Sequence, residues 1–85
     1  MKIKKKAWPE LFEAVLAGRK NFDLRLNDFK VKERDILVLE EWNPAKKEYT
    51  GRKIEKKVRF VLKSKDLNFW NKEEIERKGF QVIGF

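Results

Sequence analysis

The change from helix to strand takes place in one short stretch, Gly18-Arg19-Lys20-Asn21-Phe22-Asp23-Leu24-Arg25-Leu26. Upstream of it, apolar residues recur with the spacing of one helical face, at Leu11, Phe12, Val15 and Leu16. Pro9 suits a first helical turn, because the N–H that it lacks needs no partner there. Gly18 is a typical helix terminator. The pattern therefore predicts a helix over 9–17.

Downstream of this glycine, apolar and polar residues alternate, which is typical of a half-buried strand. One face is apolar and the other is charged, with Phe22, Leu24 and Leu26 on the first and Asp23 and Arg25 on the second. Because side chains alternate along a strand, the acid and the arginine share a face. The Asn-Asp pair at 27–28 then ends the strand.

The rest of the chain predicts further strands by the same alternation. They cover residues 2–7 (a short strand or an extended arm), 36–42, 54–63 (with a basic outer face) and 80–85. We assign Tyr49-Thr50-Gly51 to a turn or hairpin. Asn71 and Glu74 fit a capping box for a short second helix that ends at Gly79.

This order of elements predicts one α+β domain that spans residues 1–85. Strands dominate after the first helix, so the natural closure is a small, mostly antiparallel β-barrel. The barrel would carry one N-terminal helix, with the second short helix as an option.

The composition excludes many kinds of active site. The 85 residues include no Cys and no His, which removes disulfides, Cys/His zinc sites and Cys- or His-based catalysis. No apolar run approaches a transmembrane helix, and no secretory signal is recognisable. We therefore expect a cytoplasmic, monomeric protein with no membrane contact, metal or cofactor. The abundance of Lys and Glu is typical of thermophiles.

The net charge of +8 is concentrated in two segments, residues 2–6 and 52–65. Such a basic surface attracts polyanions through counterion release. The alternative is a solvated lysine-rich face that only favours solubility.

Residues 18–25 are similar to the G-x-K-x-x-E-x-R signature of the ASCH superfamily, whose domains have a PUA-like β-barrel fold. The flanking blocks look like a small prokaryotic and phage branch of unassigned function: Lys6-Ala7-Trp8-Pro9-Glu10, Asn27-Asp28 and Tyr49-Thr50-Gly51-Arg52. The chain departs from these patterns at Asp23, where the signature has Glu, and at Arg34, where the branch has Gly.

The resemblance implies a cleft beside the signature strand and helix that binds RNA or a nucleotide-like ligand. The residues that we assign to ligand binding are Lys6, Lys20, Asp23, Arg25, Thr50 and Arg52. Three further cations on the basic strand would steer a nucleic acid towards them: Lys57, Arg59 and Lys63. Trp8 and Trp42 either stack a base or pack against the core.

Two other functions stay open at this point. Some ASCH members are hydrolases of acylated cytidine and others have been assigned nuclease activity, so a small amidohydrolase or ribonuclease is the first alternative. It would use Lys20 as a base and Asp23 to activate water. The second alternative is a protein-interaction module whose basic strand meets an acidic partner. In either case, Lys20, Asp23 and Arg25 also fit an ordinary charge ladder on a sheet.

Overall fold

The computed structural model describes residues 1–64, 73, 76 and 79–85. In chain order, the elements are β1 Lys2–Ala7, α1 Pro9–Leu16, β2 Phe22–Leu26, β3 Ile36–Asn43, β4 Glu48–Lys57, β5 Phe60–Lys63 and β6 Phe80–Gly84. The α+β class and the single N-terminal helix are confirmed, and the helix ends one residue earlier than predicted. The predicted second helix at 71–79 lies largely outside the described residues. No helix in the described part of the chain is long and apolar enough to cross a membrane.

The strands form two three-stranded sheets. The first sheet has the order β1-β3-β4 and the second has the order β2-β6-β5. Only the β1–β3 pair is parallel among the described pairings, and the other three are antiparallel. The sequence left residues 2–7 as a strand or an arm, and this pairing makes them a strand. Both sheets are open at their edges in the described part of the chain.

The sequence places the turn between β3 and β4 too late in the chain. Thr50 and Gly51 lie within β4, and Tyr49 pairs with Trp42 of β3. The turn lies at residues 44–47 instead. Its side-chain support is Asn43, whose Oδ1 accepts hydrogen bonds from the amides of residues 45 and 46 at 3.0 and 3.1 Å. A side-chain oxygen that binds the next amides is a local turn signal, and it outweighs the glycine at 51.

The single strand predicted over 54–63 is wrong, because the chain changes sheets at Val58 and Arg59. The amide of Val58 donates to the carbonyl of Asp35 at 2.8 Å, whereas the amide of Arg59 donates to that of Gly84 at 2.7 Å. The two residues therefore pair with different sheets. The alternation shifts by one residue there, so Phe60 and Leu62 are exposed instead of buried. A shift of one residue moves every later side chain to the other face.

The strand at 22–26 is confirmed, but its buried face is the charged one. Asp23 is 6% exposed, whereas Phe22, Leu24 and Leu26 are all exposed. An acid is buried at low cost only when charged or polar groups compensate it. The compensating groups of Asp23 belong to the candidate site.

The core lies between α1 and the two sheets. Phe12 and Val15 of the helix pack with Leu37 and Leu39 of β3 and with Ile83 of β6. Burial of such side chains stabilises a domain by about 1.5–3 kcal/mol each relative to full exposure. This packing fixes the helix beside the carboxyl end of β1 and beside β2, and a cleft opens at that junction.

Candidate functional site: a basic cleft beside the first helix

The end of α1 places Lys20 at the cleft. Gly18 adopts a left-handed conformation with φ of 78°, which a residue without Cβ adopts at little cost. The amides of Arg19 and Lys20 then both donate to the carbonyl of Ala14 at 3.0 Å. The chain therefore turns back across the last helical turn before β2 begins.

Lys20, Asp23 and Arg25 form one connected ion cluster. Lys20 Nζ lies 3.3 Å from Asp23 Oδ1, and Arg25 Nε lies 2.6 Å from Asp23 Oδ2. Lys20 also donates to the carbonyl of Phe22 at 2.7 Å, and Arg25 Nη2 donates to the carbonyl of Lys6 at 2.7 Å. Each carboxylate oxygen thus has a cation, which compensates the burial of Asp23. The burial of Asp23 distinguishes this cluster from an exposed charge ladder on a sheet.

The cluster lines a cleft with a volume of about 290 Å³. Its walls come from the end of β1, the start of α1, β2 and β3: Lys6, Ala7, Trp8, Leu11, Val15, Lys20, Asp23, Leu24, Arg25 and Leu39. The lining carries three cations against one carboxylate, so the cleft favours an anion. Trp8 is 56% exposed at this wall and offers a flat apolar surface. A shallow cleft with an aromatic wall and a few polar groups is typical of small-ligand sites.

Lys6 lies at the cleft, but an aromatic ring holds its ammonium. Lys6 Nζ lies 3.7 Å from the centroid of Trp42 and 5.8 Å from that of Tyr49. The two rings pack edge to face, with centroids 4.9 Å apart. Such a cation–π contact contributes about 0.5–1 kcal/mol at an exposed site. Trp42 is therefore occupied by a lysine of its own chain, whereas Trp8 faces the cleft.

Thr50 and Arg52 do not line this cleft, because they bind Glu41. Arg52 Nε and Nη2 donate to the two oxygens of Glu41 at 2.9 and 2.8 Å, and Thr50 Oγ1 donates to Oε1 at 2.7 Å. Arg52 Nη2 also binds Glu13 of α1. The hydrogen bonds of Arg52 and Thr50 lower the pKa of Glu41 from its ordinary 4.5 to about 2. The hydrogen bonds to Glu41 and to Glu13 raise the pKa of Arg52. This cluster, which we call the Glu41 clamp, joins β3, β4 and α1.

Two of the three predicted steering residues lie away from the cleft: Lys57 is the last residue of β4 in the first sheet, and Arg59 follows where the chain has passed to the second sheet. Lys57 and Arg59 line a separate open pocket together with Glu33, Arg34 and Val58. Lys57 is in register with Ile36 and hence with Lys2, whereas the cleft begins at Lys6. Four residues of strand separate the two places by about 13 Å. Only a ligand of some length reaches both.

Lys63, the third predicted steering residue, lies on the inner face of the second sheet. It pairs with Gln81, which pairs in turn with Arg25 of the ion cluster. Two strand spacings place its Cα about 10 Å from that of Arg25. Lys63 is half-buried and does not extend a basic outer surface.

Sequence reasoning missed three polar residues of this region. Two of them, Glu13 and Glu41, are the acids of the Glu41 clamp. Their position on two elements that come before the basic strand was the feature of the sequence that could have indicated this contact. Gln81 is fully buried, and its Nε2 donates to the carbonyl of Phe29 at 3.4 Å. Its Oε1 has no hydrogen-bond partner among the described residues. The only Gln of the chain, placed in a strand otherwise apolar, was the signal there.

The arrangement is suited to binding an anion. The hydrogen bonds of Arg25 to other described residues use Nε and Nη2. The two N–H groups of Nη1 therefore remain for a ligand. A guanidinium oriented by a carboxylate presents such donors in a fixed plane. The described residues contain no group of three acids that could hold a metal ion.

A comparison with models of known protein families assigns the chain to a family. No curated protein matches it at a significant level. The model of a family described as a domain of unknown function, DUF3850, matches residues 3–83, which is almost the whole chain. The protein therefore belongs to the DUF3850 family of domains of unknown function.

Proposed function

We propose that the cleft binds RNA or a nucleotide-like ligand. The observation that carries this proposal is the ion cluster of Lys20, Asp23 and Arg25 in a cleft that has an exposed tryptophan. A phosphate would meet the free N–H groups of Arg25 and the ammonium of Lys20. A base would lie against Trp8, because stacking on an aromatic ring suits any base.

The size of the cleft favours one nucleotide unit as the part of the ligand that is bound inside. A volume of about 290 Å³ lies at the lower limit of small-molecule sites. The remainder of an RNA would follow the surface towards Lys57 and Arg59, where phosphates find further cations. Asp23 would act as a positioning residue in this binding mode, since it orients Lys20 and Arg25.

We propose in addition that the domain is a relative of the ASCH superfamily with a PUA-like barrel. The support comes from the residues of the signature, because Lys20, Asp23 and Arg25 are three of its positions and all line one cleft. The two open sheets pack around one core, which is compatible with an opened barrel. A solved structure that shows the strands closing into one hydrogen-bonded ring would support this relation.

An amidohydrolase or ribonuclease in the same cleft is the second candidate, and a protein-interaction module is the third. The hydrolase would need Lys20 as a proton acceptor. Its Nζ instead donates hydrogen bonds to Asp23 and to the carbonyl of Phe22. These two contacts hold the nitrogen in the ion cluster, where a lysine side chain suits the binding of an anion. We therefore place binding before catalysis.

The test is an amide chemical-shift titration with a short single-stranded RNA and, separately, with single nucleotides. A salt concentration of about 150 mM reduces non-specific attraction between charges. We expect shifts in residues 6–8 and 18–25, and a loss of binding of at least about tenfold in Lys20→Ala. Arg19→Ala is the matched control, because it removes the same charge from the adjacent residue, which does not line the cleft.

Two results would overturn the proposal. The first is equal weakening by Lys20→Ala and Arg19→Ala, which indicates attraction by net charge alone. The second is the absence of shifts with every RNA and nucleotide tested. Cleavage of the RNA or release of a small product, lost in Lys20→Ala through kcat, would favour the hydrolase.

A further inference from the structure

The strand residues that the structure describes give the second sheet an outer face without a polar side chain. Its residues are Phe22, Leu24 and Leu26 of β2, Phe80, Val82 and Gly84 of β6, and Phe60 and Leu62 of β5. Six of these eight are large apolar residues that are 39–57% exposed. Contiguous exposed apolar surface of this extent lies at the upper end of what monomeric proteins carry, and the largest such patch of a protein is often functional. We call these eight residues the outer face.

The two halves of the outer face, on either side of Val82, have complementary shapes. The register places Leu24, Val82 and Leu62 in one row across the sheet. Phe80 lies two residues before Val82 and projects from the face, and Gly84 lies two residues after it. Gly84 leaves a hollow between Phe22 and Phe60, which are its partners in the register. A projection and a hollow therefore lie at equal distances, about 7 Å, on either side of Val82.

We propose that the outer face binds a second copy of this chain, with the two-fold axis through Val82. In this dimer the second sheets of the two copies face each other, and the two-fold axis runs between them at right angles to the strands. Rotation about this axis places Phe80 of each copy over Gly84 of the other. The same rotation sets Leu24 and Leu62 against their own counterparts. An isologous contact of this kind needs one self-complementary surface, and stacked sheets are a common form of it.

The area fits a weak dimer. Half-exposed side chains of these sizes offer on the order of 600 Å² per copy, compared with the roughly 800 Å² that each partner contributes to a standard interface. Two copies of net charge +8 also repel each other at long range. We therefore expect a dissociation constant on the order of 10 µM or weaker, and a dimer that becomes tighter when salt screens the repulsion.

Other occupants fit the outer face less well. An acidic protein or an anionic membrane would be held partly by charge, yet the outer face has no charged residue to fix the partner's position. Binding of those partners would weaken with added salt, which is the opposite of what the dimer predicts. This proposal also departs from the monomer expected from the sequence alone.

The experiment is sedimentation equilibrium at protein concentrations from about 1 µM to about 500 µM. We expect the average mass to rise from 10.3 kDa towards twice that value, and to rise further at high salt. Leu62→Glu buries a charge near the axis and should weaken the dimer at least about tenfold. Leu16→Glu is the matched control, since Leu16 is a similarly exposed leucine on the helix and lies outside the outer face. Amide spectra of both variants verify the fold.

A size exchange tests the two-fold arrangement. A Cβ at Gly84 would meet Phe60 at 3.7 Å, an ordinary contact, so Gly84→Val is accommodated in one copy but fills the hollow. It should weaken the dimer about tenfold, and adding Phe80→Ala should restore much of the affinity because the projection is removed. A mass of 10.3 kDa at every concentration would overturn the proposal. So would a monomer that binds phosphatidylserine vesicles or an acidic peptide instead, equal effects of Leu62→Glu and Leu16→Glu, or a size exchange that fails to restore the dimer.

Discussion

Asp23 and Leu24 are neighbours on β2, yet the aspartate is 6% exposed and the leucine is 57% exposed. The strand thus buries its acid and presents its leucine to solvent. Lys20 and Arg25 make this possible, because each gives one carboxylate oxygen a cation. The cost of burying the charge is offset inside the cluster, and the apolar side chains of the strand remain exposed.

Asp23→Asn should destabilise the domain. The amide leaves Lys20 and Arg25 half-buried without their counter-charge, and breaking a largely buried ion cluster of this kind costs about 2 kcal/mol. Urea unfolding measures the loss. Asp28→Asn is the control, because Asp28 is exposed and belongs to no ion pair among the described residues. Equal stability of Asp23→Asn and the wild type would show that the cluster contributes nothing to folding.

The Glu41 clamp makes stability depend on acidic pH. Glu41 has its pKa lowered from 4.5 to about 2 in the folded protein, so the unfolded chain binds the proton more readily. Its stabilising contribution is complete above about pH 4.5 and is lost as the pH falls towards 2. We expect the free energy of unfolding of wild type to fall more steeply in this window than that of Glu41→Gln. Parallel pH profiles of the two proteins would contradict this assignment.

Arg34→Gly should stabilise the domain. Arg34 has φ of 78°, a left-handed conformation that costs a residue with Cβ about 1 kcal/mol relative to glycine. The gain is reduced by the larger entropy of glycine in the unfolded chain, so we expect about 0.5 kcal/mol and a small rise in Tm. Arg34→Ala separates the two effects, since it removes the same charge but keeps the Cβ. It should show no such gain.

Arg59→Ala should distinguish an RNA from a single nucleotide. Arg59 lines the same pocket as Lys57, whose register position lies about 13 Å along the first sheet from the start of the cleft. An RNA of about ten nucleotides spans both places and should lose about threefold in affinity, with a smaller salt dependence. The affinity for a single nucleotide should not change. Fluorescence anisotropy with labelled ligands measures both, and weakening of the two ligands alike would indicate a general effect of net charge.

The sequence predicted the local features well because their causes are local. Pro9 and Gly18 delimit the helix through backbone conformation and hydrogen bonding of their own residues. The strand at 22–26 follows from alternation alone. The position of Lys20 beside Asp23 and Arg25 was also predictable, since all three lie within six residues of one helix-to-strand turn.

The features that sequence reasoning missed depend on distant residues. The sequence did not reveal that Thr50 and Arg52 bind Glu41, or that Arg52 also binds Glu13, because these two acids lie on other elements. The strand predicted over 54–63 divides at Val58 because its amide pairs with residue 35 while the next amide pairs with residue 84. The alternation of side chains over 54–63 does not indicate with which sheet each amide forms its hydrogen bond.

The sequence alone thus determined the helix–strand order around Gly18 and the presence of two faces on β2. Only the tertiary structure decided which of those faces is buried. An alternating strand is compatible with either choice, because its period of two is the same in both. The choice follows from partners that the fold supplies, a lysine before the strand and a backbone carbonyl of β1 for Arg25. Together these contacts lower the free-energy cost of burying the Asp23 carboxylate, which the alternation of the strand does not reveal.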